Sequence, residues 1–96
     1  MEFEWDDVKD RSNQAKHGVA FSEARILFES GVDYLEVFDA EHSQTEDRFI
    51  AIGPIERGVV VVVYTEREDE RIRIIGARLA NKREQELFRI HMDTDK

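Results

Sequence analysis

The 96-residue sequence predicts an α+β fold with two N-terminal helices, a four-stranded antiparallel meander sheet and a C-terminal helix. The period of the apolar residues is helical as far as Gly31 and extended from Tyr34 onward, and a capped helical pattern returns at Asn81. The strand candidates are joined by short polar connections, which favour antiparallel neighbours. We expect a single domain over residues 1–96.

The first helix is predicted over about residues 6–17. Acidic side chains open it, and Lys16 and His17 occupy its last turn before Gly18. Negative charge at the start of a helix, and positive charge with glycine at its end, are typical helix boundaries. The helix should therefore present Lys16 and His17 at its C-terminal end.

The other two helices are predicted from their caps. Ser22 suits an N-cap, and the second helix should span about residues 23–30. Asn81 should cap the last helix, because Glu84 stands at the position that completes a capping box.

Four strand candidates lie between these helices, at residues 34–39, 47–53, 58–66 and 70–78. The third contains the run Val59–Val63, which sends apolar side chains to both faces of a sheet, so both faces need cover. In the fourth, arginine alternates with isoleucine until Ile75 and Gly76. Strict alternation would turn Arg78 toward the core, whereas a bulge at Gly76 would turn it outward.

Composition excludes several classes of protein. The sequence has no cysteine, and its three histidines show no metal-ligand spacing, so we expect neither a disulfide framework nor a structural metal. No apolar run approaches the roughly 18 residues of a membrane span. Residues 1–6 are acidic where a secretory signal would be basic, which predicts a cytoplasmic protein.

The charge is unevenly distributed. A formal net charge of -8 by itself argues against binding to nucleic acid, whose phosphates repel an acidic surface. Residues 71–92 nevertheless carry a net charge of +4, and residues 1–70 carry -11. The acidic part would suit a basic protein partner, although a solvated acidic surface is the other interpretation.

Five groups of residues occur in order along nearly the whole chain. They are Phe3-Glu4-Trp5-Asp6; Asn13 with Lys16-His17-Gly18-Val19, Phe21 and Glu23-Ala24; His42-Ser43 with Glu46 and Arg48; Tyr64-Thr65-Glu66-Arg67; and Arg73-Ile74-Ile75-Gly76-Ala77-Arg78. Together they resemble the BrnT toxins of bacterial type II toxin-antitoxin systems. Many members of that family have serine where this chain has Gly76.

The resemblance implies a RelE-like fold and a ribonuclease that cuts RNA without a metal or other cofactor and inhibits translation. It also implies neutralisation by a ribbon-helix-helix antitoxin of the BrnA type. We expect two toxins to flank an antitoxin dimer, with DNA contacted by the antitoxin alone. The alternative is a non-catalytic module that keeps the fold and binds the antitoxin or another protein.

Metal-free RNA cutting requires a base, an acid and cations that stabilise the phosphorane. We assign proton transfer to His17 beside Lys16, with helix capping as the alternative role of His17. Arg67 and Arg78 are expected to clamp phosphate, because we place them at neighbouring strand ends joined by one hairpin. Their alternative role is in salt bridges with Glu46, Glu66 or Glu84.

Five further residues are predicted to bind RNA or to support the site. Arg48 and Glu46 could act there or simply form an ion pair with each other. Tyr64 could stack on a base or lie in the core with a satisfied hydroxyl. Arg73, on the strand that leads to Gly76, and His42, in a polar loop, complete the set.

Overall fold

The computed structural model describes residues 1–94, which form a five-stranded mixed sheet and three helices. The elements are β1 (Glu2–Glu4), α1 (Asp7–His17), α2 (Phe21–Glu29), β2 (Leu35–Phe38), β3 (Arg48–Ile55), β4 (Gly58–Arg67), β5 (Arg71–Leu79) and α3 (Lys82–Thr94). The strands lie in the order β1-β5-β4-β3-β2; β1 runs parallel to β5 and the other neighbours are antiparallel. A 3-10 turn, Ala40–His42, lies between β2 and β3.

The predicted meander corresponds to β2 to β5, but the prediction of a wholly antiparallel four-stranded sheet is wrong. The N-terminal segment adds β1, which pairs Glu2 with Arg71 and Glu4 with Arg73. Three residues are too few to show an alternating pattern in the sequence. Their carboxylates lie opposite arginines, and cross-strand pairs of opposite charge stabilise such a pairing.

Helices α1 and α2 cover one face of the sheet, called here the first face, and the main core lies beneath them. Gly53 of β3 permits close contact there, because a Cβ on it would lie 2.6 Å from Leu27 Cδ1 and 2.7 Å from Tyr34 Cβ. The buried core residues are Val19, Phe21, Ala24, Leu27, Ala51, Val60, Val62, Tyr64, Ile72, Ile74 and Ala77.

Helix α2 begins earlier than predicted. Its N-cap is Ala20, not Ser22, and no side chain of the N-cap residue bonds to the helix. Asp10 of α1 supplies the acceptor instead, since its Oδ1 lies 2.8 Å from the backbone nitrogen of Phe21. A cap donated by a neighbouring helix leaves no local signal in the sequence, which explains the wrong boundary.

Helix α3 crosses the opposite face of the sheet, called here the second face. It begins with the predicted capping box: the backbone nitrogen of Glu84 donates to Asn81 Oδ1 at 2.8 Å, and that of Asn81 donates to Glu84 Oε1 at 2.9 Å. Phe88 and Val59 line the same groove beside α3. The helix thus lies near the start of β4, away from the β4–β5 turn. No helix within residues 1–94 is long and apolar enough to cross a membrane.

A β-bulge reverses the alternation along β5. Ile74 pairs with Tyr64 and Gly76 pairs with Val63, so Ile75 has no partner on β4. Beyond this bulge, Arg78 lies opposite Val61. Arg78 therefore faces the second face together with Arg73, which is the outward orientation that a bulge was expected to produce. A Cβ at Gly76 would meet no atom of the described chain closer than 4.0 Å, so a small side chain such as serine has room there.

Candidate functional site

Four arginines of the second face gather near the β4–β5 turn. Arg48 of β3 lies opposite Thr65 of β4, which lies opposite Arg73 of β5. Two residues nearer the β4–β5 turn, Arg67 lies opposite Arg71. Because paired residues on adjacent strands share a face, all five side chains lie together. We call this group, Arg48, Thr65, Arg67, Arg71 and Arg73, the arginine end.

Carboxylates from neighbouring elements balance part of this charge. Arg73 Nη1 lies 2.6 Å from Glu4 Oε2, and Arg71 is 3.4 Å from Glu2 and 3.5 Å from Glu4. The hydrogen bond from Arg73 lowers the pKa of the Glu4 carboxyl. Like charges that face each other directly, as Arg67 and Arg71 do, destabilise a sheet. The pairing of Arg67 with Arg71 therefore does not stabilise the sheet, in contrast to the pairing of Arg71 and Arg73 with the carboxylates of β1.

A histidine lies in the loop between β2 and β3, which adjoins Arg48 of the arginine end. The loop is fixed to the start of β3, because Ser43 Oγ accepts from the Arg48 backbone nitrogen at 2.9 Å. His42 Nδ1 lies 2.9 Å from Asp39 Oδ2. A carboxylate only accepts, so this contact places a hydrogen on Nδ1. Nε2 is then left without a hydrogen, on a side chain that is 60% exposed.

The same loop contributes an acidic partner to the arginine end. Glu46 Oε2 lies 3.4 Å from Arg67 Nη2, and both side chains are partly exposed. Glu46 therefore pairs with Arg67 and not, as one alternative had it, with Arg48. A contact of this length between exposed groups stabilises a protein little, so a stronger anion could replace it.

Lys16 and His17 lie elsewhere, in a cleft of about 210 Å³ at the free edge of β5 beside Ile75. The Asn13 side chain fixes α1 to that edge: its Nδ2 donates to the Ala77 carbonyl at 2.7 Å and its Oδ1 accepts from the Ala77 nitrogen at 3.2 Å. His17 thus approaches the sheet from the β5 edge, and His42 approaches it from the β2 edge.

The prediction that Arg67 and Arg78 lie at neighbouring strand ends is wrong. Arg67 pairs near the turn, whereas Arg78 lies opposite Val61 at the far end of the hairpin, so the two are separated by roughly 20 Å of strand. Arg78 makes two bonds to the Glu84 carboxylate, at 2.7 and 2.6 Å. These bonds raise the pKa of Arg78 and lower that of Glu84.

Tyr64 lies in the core and not on the RNA-accessible surface. Its side chain points to the first face and is 1% exposed. Its hydroxyl donates to a carboxylate oxygen of Glu36. Burial, aided by that hydrogen bond, raises the pKa of the tyrosine. A base cannot stack on this ring in the folded protein.

Two relevant residues were missed by sequence reasoning. Asp39, which orients His42, stands three residues before it, and only the 3-10 turn brings the two together. Thr65 could have been found, because alternation along β4 places it on the face of Arg67. Within residues 1–94 no three histidine, aspartate or glutamate side chains are grouped as metal ligands would be.

The fold and the arginine end define a small α+β protein whose sheet carries a concentrated set of arginine side chains on one face. A family model described as "Ribonuclease toxin, BrnT, of type II toxin-antitoxin system" matches residues 5–84. The chain belongs to this family: it is a ribonuclease toxin, and the system to which the family belongs implies an RNA target and an antitoxin partner.

A solved structure agrees with this assignment. The chain is similar to the crystal structure of the Brucella abortus ribonuclease toxin BrnT, with a TM-score of 0.67 and 26% sequence identity. The match covers 85% of this chain and 99% of that chain. No curated protein matches the chain.

Proposed function

We propose that the protein is a metal-independent endoribonuclease that cuts RNA at the arginine end and thereby inhibits translation. The observation that carries the proposal is the position of the His42–Asp39 pair on a loop fixed to the strand of Arg48. Guanidinium groups can supply the positive charge that a divalent cation supplies in other nucleases. A histidine with a fixed tautomer supplies the proton transfer.

The proposed reaction is an attack within one nucleotide. His42 Nε2 takes the proton of a 2′-hydroxyl, and the 2′-oxygen forms a bond to phosphorus. Arg67 and Arg73 stabilise the negative charge of the crowded phosphorane. The bond to the 5′-oxygen then breaks, and that oxygen takes a proton from water. The products are a 2′,3′-cyclic phosphate and a 5′-hydroxyl.

The remaining predicted site residues receive other roles in the proposal. Lys16 and His17 would contact the RNA backbone where it leaves the arginine end along the β5 edge. Arg78 would hold α3 through Glu84, because both of its terminal nitrogens are already bonded there. Glu46 would release Arg67 when phosphate binds.

We further propose that the antitoxin is a basic, BrnA-type ribbon-helix-helix protein. Residues 29–47 carry seven carboxylates and no lysine or arginine, so they offer a continuous acidic segment to such a partner. This segment includes the loop of His42, which the antitoxin would cover. Two toxins would flank one antitoxin dimer in the cytoplasm, and DNA would be bound by the antitoxin alone.

A non-catalytic binding module is the second candidate. The carboxylates paired with Arg67, Arg71 and Arg73 favour it, because they already occupy the groups that would bind phosphate. In such a module the ion pairs would persist when RNA is offered.

The test is RNA cutting by the purified protein in the presence of EDTA. We expect cutting to persist, to yield 2′,3′-cyclic phosphate ends, and to stop when the antitoxin is added. Cutting that requires added magnesium would contradict metal independence. Intact RNA under both conditions would leave only the binding module.

A further inference from the structure

Two buried polar atoms at the arginine end have no hydrogen-bond partner among the described residues. They are Thr65 Oγ1 and Arg48 Nε. Thr65 is 1% exposed as a whole. The two residues lie directly opposite each other on β4 and β3, on the second face. The unpartnered atoms therefore belong to two directly neighbouring residues of the arginine end.

A buried hydroxyl without a hydrogen-bond partner destabilises a protein. Valine would fill the same space as Thr65 without a hydroxyl, and this face of the strand already uses valine. The preceding residues of β4 on the same face, Val59, Val61 and Val63, are all valines. Valine has nearly the shape of threonine without the hydroxyl. The hydroxyl of Thr65 thus costs stability, of the kind that proteins retain at functional sites.

We propose that Thr65 Oγ1 and Arg48 Nε form the inner wall of a seat for one phosphate group of single-stranded RNA. This inference rests on the proposed function of the arginine end. The Thr65 hydroxyl donates to one phosphate oxygen and the Arg48 Nε–H donates to another. Each bond to an ionised oxygen is stronger than a bond between neutral groups.

Because Thr65 is 1% exposed, the phosphate must displace the side chains that cover it to reach this seat. The neighbouring Arg67 and Arg73 are 43% and 33% exposed, and each is paired with a glutamate, Glu46 and Glu4 respectively. These carboxylates stand in for phosphate oxygens in the unbound protein. When RNA enters, both arginines turn from the carboxylates to the phosphate and close the seat.

The test measures binding of a 2′-O-methyl RNA oligonucleotide, which cannot be cut, by fluorescence anisotropy. We expect Thr65→Val to weaken binding roughly tenfold or more, which is the usual effect of losing one bond to a charged group. Thr65→Ser should retain the affinity of the unaltered protein, because it keeps the hydroxyl. Thr94→Val, at the end of α3, is the matched control and should bind normally.

Stability separates this role from a structural one. Thermal unfolding of Thr65→Val should occur at the same or a higher temperature than in the unaltered protein, because the variant loses an unsatisfied polar group. Arg48→Lys provides a second variant, since it keeps the charge but removes Nε, and it should lose affinity to a similar extent.

Two outcomes would overturn the inference in distinguishable ways. Unchanged affinity in folded Thr65→Val and Arg48→Lys would remove the phosphate seat and leave the proposed ribonuclease site intact. If the unaltered protein fails to bind the oligonucleotide, the proposed function fails together with the seat.

Discussion

Replacing His42 with glutamine is expected to slow RNA cutting by roughly 100- to 10,000-fold, the usual contribution of a general acid or base. Glutamine keeps a polar side chain of similar reach but cannot exchange a proton near neutral pH. Because His42 is largely exposed and bonded only to Asp39, its loss should leave the fold intact. The measurement is the single-turnover rate of cutting of a labelled RNA, with circular dichroism to check folding.

The matched control is the other histidine of the predicted site. His17→Gln removes the same chemical group from the cleft at the β5 edge. We expect the cutting rate to fall by less than about tenfold, since in our proposal that cleft contacts only the RNA backbone. A large loss in His17→Gln with normal cutting by His42→Gln would place the reaction at the β5 edge and contradict the proposal.

Arg73→Gln is expected to slow cutting by roughly 100- to 1,000-fold, as loss of a group that stabilises transition-state charge does in other enzymes. Arg73 stands beside Thr65 in the middle of the arginine end, so it should contact the phosphate that is attacked. The affinity for uncut RNA should also become less dependent on salt, because one phosphate contact is lost.

Arg89→Gln is the control for the change in net charge. Arg89 is exposed on α3, where it pairs with Glu86 and Asp93, away from the arginine end. We expect the rate and the salt dependence of this variant to match those of the unaltered protein. Equal effects of Arg73→Gln and Arg89→Gln would show that only net charge matters and would argue against a specific site.

Local signals in the sequence predicted much of the fold. The capping box of Asn81 and Glu84 involves residues three positions apart, so its pattern is visible without a structure. Strand β1 and the start of α2 were not predictable in this way. Each depends on a partner in another element, Arg73 of β5 for Glu4 and Asp10 of α1 for Phe21.

The candidate site was less predictable, because it depends on sheet register. Residue types identified arginine and histidine as candidates, but only the pairing of β4 with β5 shows that Arg78 lies far from Arg67. Tyr64 stands two residues after Val62 on β4, so both side chains lie on the same face of the sheet. Only the structure shows that this is the face covered by the helices, and therefore that Tyr64 is buried. Asp39 carried no sequence signal, since the 3-10 turn creates its contact with His42.

The central claim is that RNA binds on the second face at the arginine end. Chemical-shift mapping by NMR with the 2′-O-methyl oligonucleotide tests this most directly. We predict that the largest amide shifts occur at residues 42–48, 64–67 and 71–74. Shifts centred instead on residues 12–18, or on the outer surface of α2, would contradict the account.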